Sequence, residues 1–270
     1  MTEPRVVSLA PSATATVSAL GAADCLVGVT DHCEVATGST PAPDSLDSAE
    51  PTNAELPAVV GGWLTPDPDV VERLDPDLVL TSDGLQAELA ADFCERGFEV
   101  HHREPETLDD AVAGFADLGA AVGRAAAGER LAADARDRLD AVAAAVGDVL
   151  ADEVPPVVYC EEWSDPPMAA GNWVPDAVRA AGGRYPFVDP GDRSREVDGA
   201  EVAAADPDHV VLHVCGHGDR VDPEVVRERD WNLDAPIHVL DDALLNQPSP
   251  RLIDGIERLA RILHPDAFEN

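Results

Sequence analysis

The sequence predicts an α/β protein of two lobes, each with a parallel sheet, joined by one long helix. Short apolar segments such as Val6–Leu9 and Leu78–Thr81 alternate with helical patterns, which is typical of parallel sheets. Residues Ala125–Leu150 form one helical pattern without proline, which would span about 39 Å at 1.5 Å per residue. The segment Leu74–Leu80 has a counterpart in Ala205–Val211, where an Asp-Pro-Asp turn again precedes an apolar strand.

These patterns divide the chain into a first lobe over residues 1–118, a connecting helix over 119–153 and a second lobe over 154–270. The first lobe is expected to contain strands at Val6–Leu9, Leu26–Val29, Leu78–Thr81 and Glu99–His101. The second lobe is expected to contain strands at Val157–Tyr159, His209–Val214 and Ile237–Leu240.

Capping residues predict where the shorter helices begin. The expected N-caps are Ser12, Ser82 or Asp83, and Ser249, the last followed by Pro250 at the first helical position. The segment 34–62 is rich in proline, serine, threonine and aspartate, which predicts a long surface excursion.

The composition excludes two classes of function. All 18 basic residues are arginine, and 53 acidic residues give a net charge of −35, so a nucleic-acid partner is excluded by repulsion of phosphates. No apolar segment reaches the roughly 18 residues that a membrane helix needs, so the sequence predicts that the chain is not an integral membrane protein. Hydrophobic residues make up 45% of the chain, which is enough for a large core. The acidic residues are spread along the whole chain, which favours adaptation to concentrated salt over a basic partner.

Cysteine usage and the first residues bear on the compartment. Five cysteines without a Cys-x-x-Cys pair argue against a disulfide framework and a zinc ribbon. The segment Met1–Arg5 leads directly into a strand without a signal peptide or lipobox, so we expect a cytoplasmic protein. A cell-surface location is the alternative if the native start lies upstream.

Tryptophans lie in proline- and glycine-rich segments. Trp63, Trp163 and Trp173 are three of the four tryptophans in the chain, and aromatic residues make up only 4% of it. An indole on a stiff loop offers a large flat surface to a planar apolar ligand. The alternative is that these indoles seal the loops against the core.

Two histidine- and cysteine-containing segments are weaker candidates for metal or chelate contacts. His32 with Cys33 follows the second predicted strand, where α/β folds place ligand residues, although a polar loop with a half-buried cysteine is the favoured explanation of the pattern. His213, Cys215 and His217 would share one face of a continued strand and form a soft metal site. The glycines that alternate with them favour a strand end instead.

The motifs of common enzyme classes are absent from the sequence. It contains no nucleophile elbow, phosphate-binding loop, His-Glu-x-x-His helix or Gly-x-Gly-x-x-Gly segment after a strand. We therefore assign no catalytic residue and no catalytic cofactor, and we expect a binding protein rather than an enzyme.

Several segments along nearly the whole chain match one known pattern. They are Arg5–Thr14, Ala19–Val29, Gly62–Trp63, Leu74–Leu80, Glu162–Trp173, Ala181–Gly183 and Asn246–Gly255. Together they resemble the cobalamin and iron-siderophore substrate-binding proteins of ABC importers. The later segments are similar to a branch called cobalamin-binding proteins, whose members often lack an export signal.

The resemblance implies two Rossmann-like lobes joined by a single backbone helix, as in the helical-backbone metal receptors. It implies a non-catalytic receptor that holds a corrinoid such as cobalamin in a cleft between the lobes, with His32 near the cobalt or the rim. The ligand contacts implied by the matching positions are Pro11, Ser12, His32, Trp63, Ser82, Asp83, Trp163, Asp165, Trp173, Leu245 and Asn246.

The resemblance leaves the transport partner open. Asp69 could dock an ABC permease on the first lobe, but Asn246 stands where an acid is expected on the second, and Ala15 replaces a common glutamate. We expect a monomer. Two alternatives to a corrinoid receptor remain: a receptor for a ferric siderophore or haem, and a metal-binding protein or enzyme of cofactor metabolism that uses His213, Cys215 and His217.

Overall fold

The computed structural model describes residues 3–34, 56–151 and 154–268. The chain divides into two compact units, Met1–Glu104 with Phe115–Leu131, and Pro105–Gly114 with Ala132–Asn270. Most of the expected surface excursion, residues 35–55, lies outside the described residues. The predicted boundaries after residues 118 and 153 stay a prediction.

The first unit is built around a sheet of five strands. Its strands are β1 (Val6–Ser8), β2 (Leu26–Val29), β3 (Ala58–Val59), β4 (Leu78–Ser82) and β5 (Val100–Arg103), and its helices include α1 (Pro11–Ala19), α2 (Pro68–Leu74) and α3 (Ala87–Glu95). The strand order is β3-β2-β1-β4-β5, and all neighbours pair in parallel. The predicted parallel sheet is confirmed, with β3 as an additional short strand at its edge.

Both faces of this sheet are buried because successive residues of its strands pack into different apolar clusters. Val6 packs on one face with Val17 of α1, whereas Val7 packs on the other face with Phe93 of α3. Parallel strands that are covered on both sides require such continuous apolar runs. This explains why β1 and β4 were recognisable in the sequence.

Two long helices follow in the chain, α4 (Leu108–Ala121) and α5 (Ala125–Leu150). The 26-residue α5 has the bounds that the sequence predicts. Helices α4 and α5 approach closely at Gly119 and Gly128. A Cβ added at Gly128 would lie 2.7 Å from the carbonyl oxygen of Phe115 and 3.0 Å from the Cα of Gly119.

The second unit is built around a mixed sheet. Its strands are β6 (Val158–Ser164), β7 (Pro167–Ala169), β8 (Arg195–Glu196), β9 (His209–Leu212) and β10 (Ile237–Val239), and its helices include α6 (Val174–Ala180), α7 (Gly199–Ala205), α8 (Glu224–Arg227) and α9 (Arg251–Leu263). The order is β10-β9-β6-β7-β8. Strands β10, β9 and β6 are parallel as predicted, whereas β7 and β8 pair in antiparallel. The antiparallel strands were not predicted because the consecutive prolines before and in β7 are typical of a loop.

Several predicted element ends were wrong by one or two residues. Ser12 is not an N-cap, because α1 begins at Pro11 with Ala10 as its cap. Ser249 does not cap α9 either, since Pro250 holds that position, although the Ser249 hydroxyl accepts a hydrogen bond from the Arg251 amide at 3.3 Å. Strand β9 ends at Leu212 rather than Val214.

The repeated Asp-Pro-Asp segment forms the same structure in both units. Asp75 and Asp206 end α2 and α7 in the left-handed conformation, with φ values of 46° and 47°. The second aspartate of each copy then binds the amide before the neighbouring strand: Asp77 accepts from Arg5 and Asp208 from Val157, both at 2.7 Å. The sequence repeat therefore holds the starts of paired strands together.

Two observations concern the described chain as a whole. Among the described residues, no helix combines the length and the apolar content needed to cross a bilayer. The five cysteines are free, with Cys25 and Cys160 buried, and burial raises the pKa of the Cys25 thiol to about 11. Burial also raises the pKa of Cys160, so the two buried thiols are poor nucleophiles at neutral pH.

The close approach of α4 and α5 predicts opposite effects for two glycine substitutions in α5. Gly128→Ala forces a Cβ against backbone atoms and is expected to lower the free energy of unfolding by about 1–3 kcal/mol. Gly147→Ala meets nothing within 4 Å and is expected to raise it by about 0.5–1 kcal/mol through helix propensity. Urea unfolding of both variants tests this contrast. Equal effects would contradict it.

Candidate functional site

The predicted ligand residues of the first unit lie at the carboxyl edge of its sheet. Pro11 and Ser12 follow β1, His32 follows β2, and Ser82 and Asp83 end β4. Parallel α/β sheets bind ligands beyond the carboxyl ends of their strands, so the parallel order brings these residues to one edge. Their contacts with a ligand stay predictions.

Trp63 lies in the loop between β3 and α2 and is half-buried. Its neighbour Leu64 is 47% exposed, and Leu85 on the adjoining turn is 58% exposed. These three residues place apolar surface beside the polar strand ends. Neither leucine was predicted, because an exposed leucine has no distinguishing pattern in a sequence.

Gln86 joins the two loops that carry this apolar surface. It is completely buried and donates from Nε2 to the carbonyl oxygens of Leu9 and Trp63, both at 2.8 Å. Its Oε1 accepts a hydrogen bond from the Ser82 amide at 2.9 Å. Sequence reasoning missed this residue as well, because its partners Leu9 and Trp63 are distant in the sequence.

A hydroxyl and thiol network lies under the ends of β1 and β2. The Thr14 hydroxyl is 2.8 Å from the Ser8 hydroxyl and 3.1 Å from Cys33 Sγ, and the Thr30 hydroxyl is 3.1 Å from the same sulfur. Cys33 is half-buried, which agrees with the polar-loop interpretation of this segment. His32 is exposed, and its Nδ1 lies 2.5 Å from Oδ1 of Asp31.

In the second unit, Trp163 lies near the carboxyl end of β6, next to the hairpin that leads into β7. Its indole N–H donates to the carbonyl oxygen of Asp165 at 2.8 Å, and the residue is 46% exposed. Asp165 is exposed as well. The indole is therefore held in place by one hydrogen bond while much of its surface stays accessible.

A buried ion pair supports this hairpin. Arg229 donates to both carboxylate oxygens of Glu161, at 2.6 and 3.0 Å, and to the carbonyl oxygen of Ser164 at 2.9 Å. The Tyr159 hydroxyl also donates to the fully buried Glu161, and burial with this carboxylate raises the pKa of Tyr159 well above its usual value. The Arg229 guanidinium lies over the ring of Trp231 at 4.7 Å. None of these partners was predicted.

Three further predicted ligand residues are anchored inside the second unit. Trp173 is 4% exposed and donates its indole N–H to the carbonyl oxygen of Leu245 at 2.7 Å, and Leu245 is fully buried. Asn246 Nδ2 donates to the carbonyl oxygen of His213 at 2.8 Å, and its Oδ1 faces His213 Nδ1. These contacts tie the turn before α9 to α6 and β9. Ligand contact through Trp173, Leu245 and Asn246 stays a prediction.

His213 is the most strongly perturbed histidine of this region. Because Asn246 presents its carbonyl oxygen to Nδ1, the neutral ring carries its proton there. Burial lowers the pKa of His213 to about 4, so the ring is neutral at physiological pH. Its Nε2 is buried without a hydrogen-bond partner among the described residues.

The structure does not bring His213, Cys215 and His217 together as a metal site. His213 is buried, whereas Cys215 and His217 are exposed. Gly216 and Gly218 have positive φ values of 77° and 58°, so the backbone here is not extended. The three side chains therefore do not share one face of a continued strand. Within residues 3–34, 56–151 and 154–268, no three His, Cys, Asp or Glu side chains converge to hold a metal ion.

Asp69 lies in the first turn of α2 and is exposed. Its amide donates to the Asp67 carboxylate at 2.9 Å, which caps the helix. Its predicted role in docking a permease stays a prediction.

Comparisons with known proteins agree with this architecture. A model of the family described as periplasmic binding protein matches residues 6–235. A protein named cobalamin-binding protein from Halobacterium salinarum is 29% identical over 96% of this chain and 69% of its own length.

Solved structures of similar fold cover nearly the whole chain. The periplasmic heme-binding protein RhuT from Roseiflexus sp. RS-1 superposes with a TM-score of 0.76 at 22% identity, covering 98% of this chain and 100% of that one. The periplasmic vitamin B12 binding protein BtuF of Vibrio cholerae superposes with a TM-score of 0.71 at 22% identity, covering 99% of both chains. At this identity the likeness establishes the fold.

The buried His213 predicts a pH dependence of stability. An exposed histidine in the unfolded chain has a pKa near 6.5, whereas His213 in the fold has a pKa of about 4. Between these values the unfolded chain binds more protons, so acidification from pH 6.5 to 4 lowers the free energy of unfolding, by at most about 3 kcal/mol for this group. His213→Asn keeps a donor at the Nδ1 position and is expected to flatten this dependence in urea unfolding. The exposed His217→Asn is the control, and equal slopes for both variants would contradict the prediction.

The buried ion pair predicts a large difference between two neighbouring arginines. Arg229→Met leaves the Glu161 carboxylate buried without its counter-charge and is expected to lower the free energy of unfolding by about 3–5 kcal/mol. Arg227→Met removes only an exposed pair with Glu224 and is expected to change it by about 0.5 kcal/mol or less. Adding Glu161→Gln to Arg229→Met should restore part of the loss. Chemical denaturation of the three variants measures these values, and a small effect of Arg229→Met alone would refute this assignment.

Proposed function

Because the chain belongs to the periplasmic binding protein family, we propose that it is a non-catalytic receptor for a corrinoid such as cobalamin. The observation that carries the proposal is a tryptophan at the carboxyl edge of the sheet in each unit, the half-buried Trp63 and the 46% exposed Trp163. Similarity to a cobalamin-binding protein over 96% of this chain supports the same ligand class.

The first unit offers apolar and polar groups side by side. Trp63, Leu64 and Leu85 supply apolar surface that suits the face of a flat macrocycle. Asp83 lies next to this surface at the end of β4, and its carboxylate can accept hydrogen bonds from N–H donors. A corrin ring combines an apolar face with a rim of carboxamides, so it fits this pairing of groups.

Charge favours a corrinoid over an anionic chelate. The eleven predicted contact positions include no arginine, and the chain as a whole carries a net charge of −35. Haem and many ferric siderophores carry carboxylates or other anionic groups, which need cationic partners on desolvation. The carboxamide rim of a corrinoid has no such need.

Two finer points belong to the same proposal. His32 is exposed at the end of β2 and is available to approach the metal or the rim of the ligand. Asp69 is exposed on α2 and is available to an ABC permease to which the receptor would deliver the corrinoid. Contact of one ligand with both units follows from the sequence resemblance and stays a prediction.

Titration with cyanocobalamin tests the proposal. We expect saturable binding with a Kd of about 1 μM or lower in concentrated salt. Trp63→Ala and Trp163→Ala should each weaken it about tenfold or more, because each removes a large apolar contact. Val154→Ala is the control, since Val154 is 85% exposed and lies outside the predicted contacts. Isothermal titration calorimetry measures all four proteins, and absence of saturable binding would refute the corrinoid assignment.

Competition separates the corrinoid from the other chelates. Cobalamin should displace haem and a ferric siderophore at equal concentration, and neither should displace bound cobalamin. The reverse order of affinities would favour the alternative receptor.

A further inference from the structure

We propose that Gln86 is the positioning residue of the first unit's site: it fixes the loop that carries Trp63 and so sets the affinity for the ligand. The inference rests on the proposed function in one respect, namely that Trp63 contacts the ligand. The positioning itself is a property of the unliganded protein and can be tested separately.

The geometry of Gln86 uses both ends of its amide. Nε2 has two hydrogens, and each is donated at 2.8 Å, one to the carbonyl oxygen of Leu9 and one to that of Trp63. Oε1 accepts from the Ser82 amide at 2.9 Å. A single buried side chain therefore connects the end of β1, the end of β4 and the Trp63 loop.

In the turn before α3, the side chain of Gln86 is buried and that of Leu85 is exposed. Asp83 has a φ of 83°, and its carboxylate accepts from the Leu85 amide at 2.8 Å, which begins a short 3-10 turn over Gly84–Gln86. Within this turn Leu85 is 58% exposed while Gln86 is completely buried. Gln86, which binds the Trp63 loop, thus directly follows the exposed Leu85 in the chain.

No other side chain can make this set of contacts. Glutamate has the same shape but lacks both donors and would place a carboxylate oxygen against two carbonyl oxygens. Methionine has a similar length but no polar atoms that match, and asparagine is shorter by one methylene. Buried backbone groups without partners are strongly disfavoured, so the Trp63 loop is expected to move in each of these variants.

The experiment uses ¹⁹F NMR of the full chain labelled with 5-fluorotryptophan. The Trp63 resonance is assigned as the one that Trp63→Phe removes. The Trp163, Trp173 and Trp231 resonances report on the second unit, and far-UV circular dichroism with a single cooperative urea transition reports whether the first unit is folded. Gln86→Glu and Gln86→Met are the test variants. Ala91→Glu adds the same charge on the exposed side of α3 and is the control.

We expect the Trp63 resonance to shift or broaden in both Gln86 variants, while the other three resonances keep their positions. Cobalamin affinity should fall about tenfold in both and stay unchanged in Ala91→Glu. An unchanged Trp63 resonance in a folded Gln86 variant would overturn the positioning role. If Gln86→Glu does not fold, Gln86→Met alone decides. A moved Trp63 resonance in a protein that never binds cobalamin would support the positioning role and overturn only the corrinoid assignment.

Discussion

In each sheet, an aspartate at the start of one strand binds the start of its parallel neighbour. In the first unit the Asp77 carboxylate accepts from the Arg5 amide, and the Arg5 carbonyl oxygen accepts from the Asp77 amide at 2.8 Å. In the second unit Asp208 and Val157 make the same two hydrogen bonds, the second again at 2.8 Å. Parallel strands run in one direction, so fixing their starts also fixes which residues meet at their carboxyl ends. In the first unit this pairing places Leu9 and Ser82 near each other, where one side chain can bridge them.

At the carboxyl edges of the two sheets, different kinds of side chain form hydrogen bonds with peptide groups. Peptide groups beyond the last paired residues lack strand partners, and buried ones need hydrogen bonds from elsewhere. In the first unit the neutral amide of Gln86 supplies them, whereas in the second unit Arg229, which is paired with Glu161, donates to the carbonyl oxygen of Ser164. A neutral amide is readily desolvated, but a buried charge depends on its partner. The hairpin that carries Trp163 therefore depends on the loop that holds Arg229.

Features encoded within a few neighbouring residues could be predicted from the sequence. The bounds of α5, the two Asp-Pro-Asp turns and the apolar strands β1 and β4 all follow from local patterns. The missed features depend on distant partners: Gln86 meets Leu9 77 residues away, and Arg229 meets Glu161 68 residues away. No local pattern marks such residues. The antiparallel strands β7 and β8 were not predicted, because they pair although the proline-rich sequence of this segment is typical of a loop.

The tryptophans illustrate the same limit. Trp163 and Trp173 occupy similar proline- and glycine-rich segments, and both were predicted to contact the ligand. Trp163 is 46% exposed and its N–H meets the carbonyl oxygen of Asp165, two residues later, whereas Trp173 is 4% exposed and its N–H meets the carbonyl oxygen of Leu245, 72 residues later. The local segments are alike, and the two indoles differ in whether their partner is local or comes from a distant part of the unit.

Asn246 shows how local chemistry can explain a departure from a family pattern. Its amide donates to the carbonyl oxygen of His213 and accepts from the ring of the same residue. A carboxylate at this position could accept from Nδ1 but could not donate to the carbonyl oxygen, which would lose a partner in the interior. The buried contact with His213 thus selects asparagine over the acid expected there.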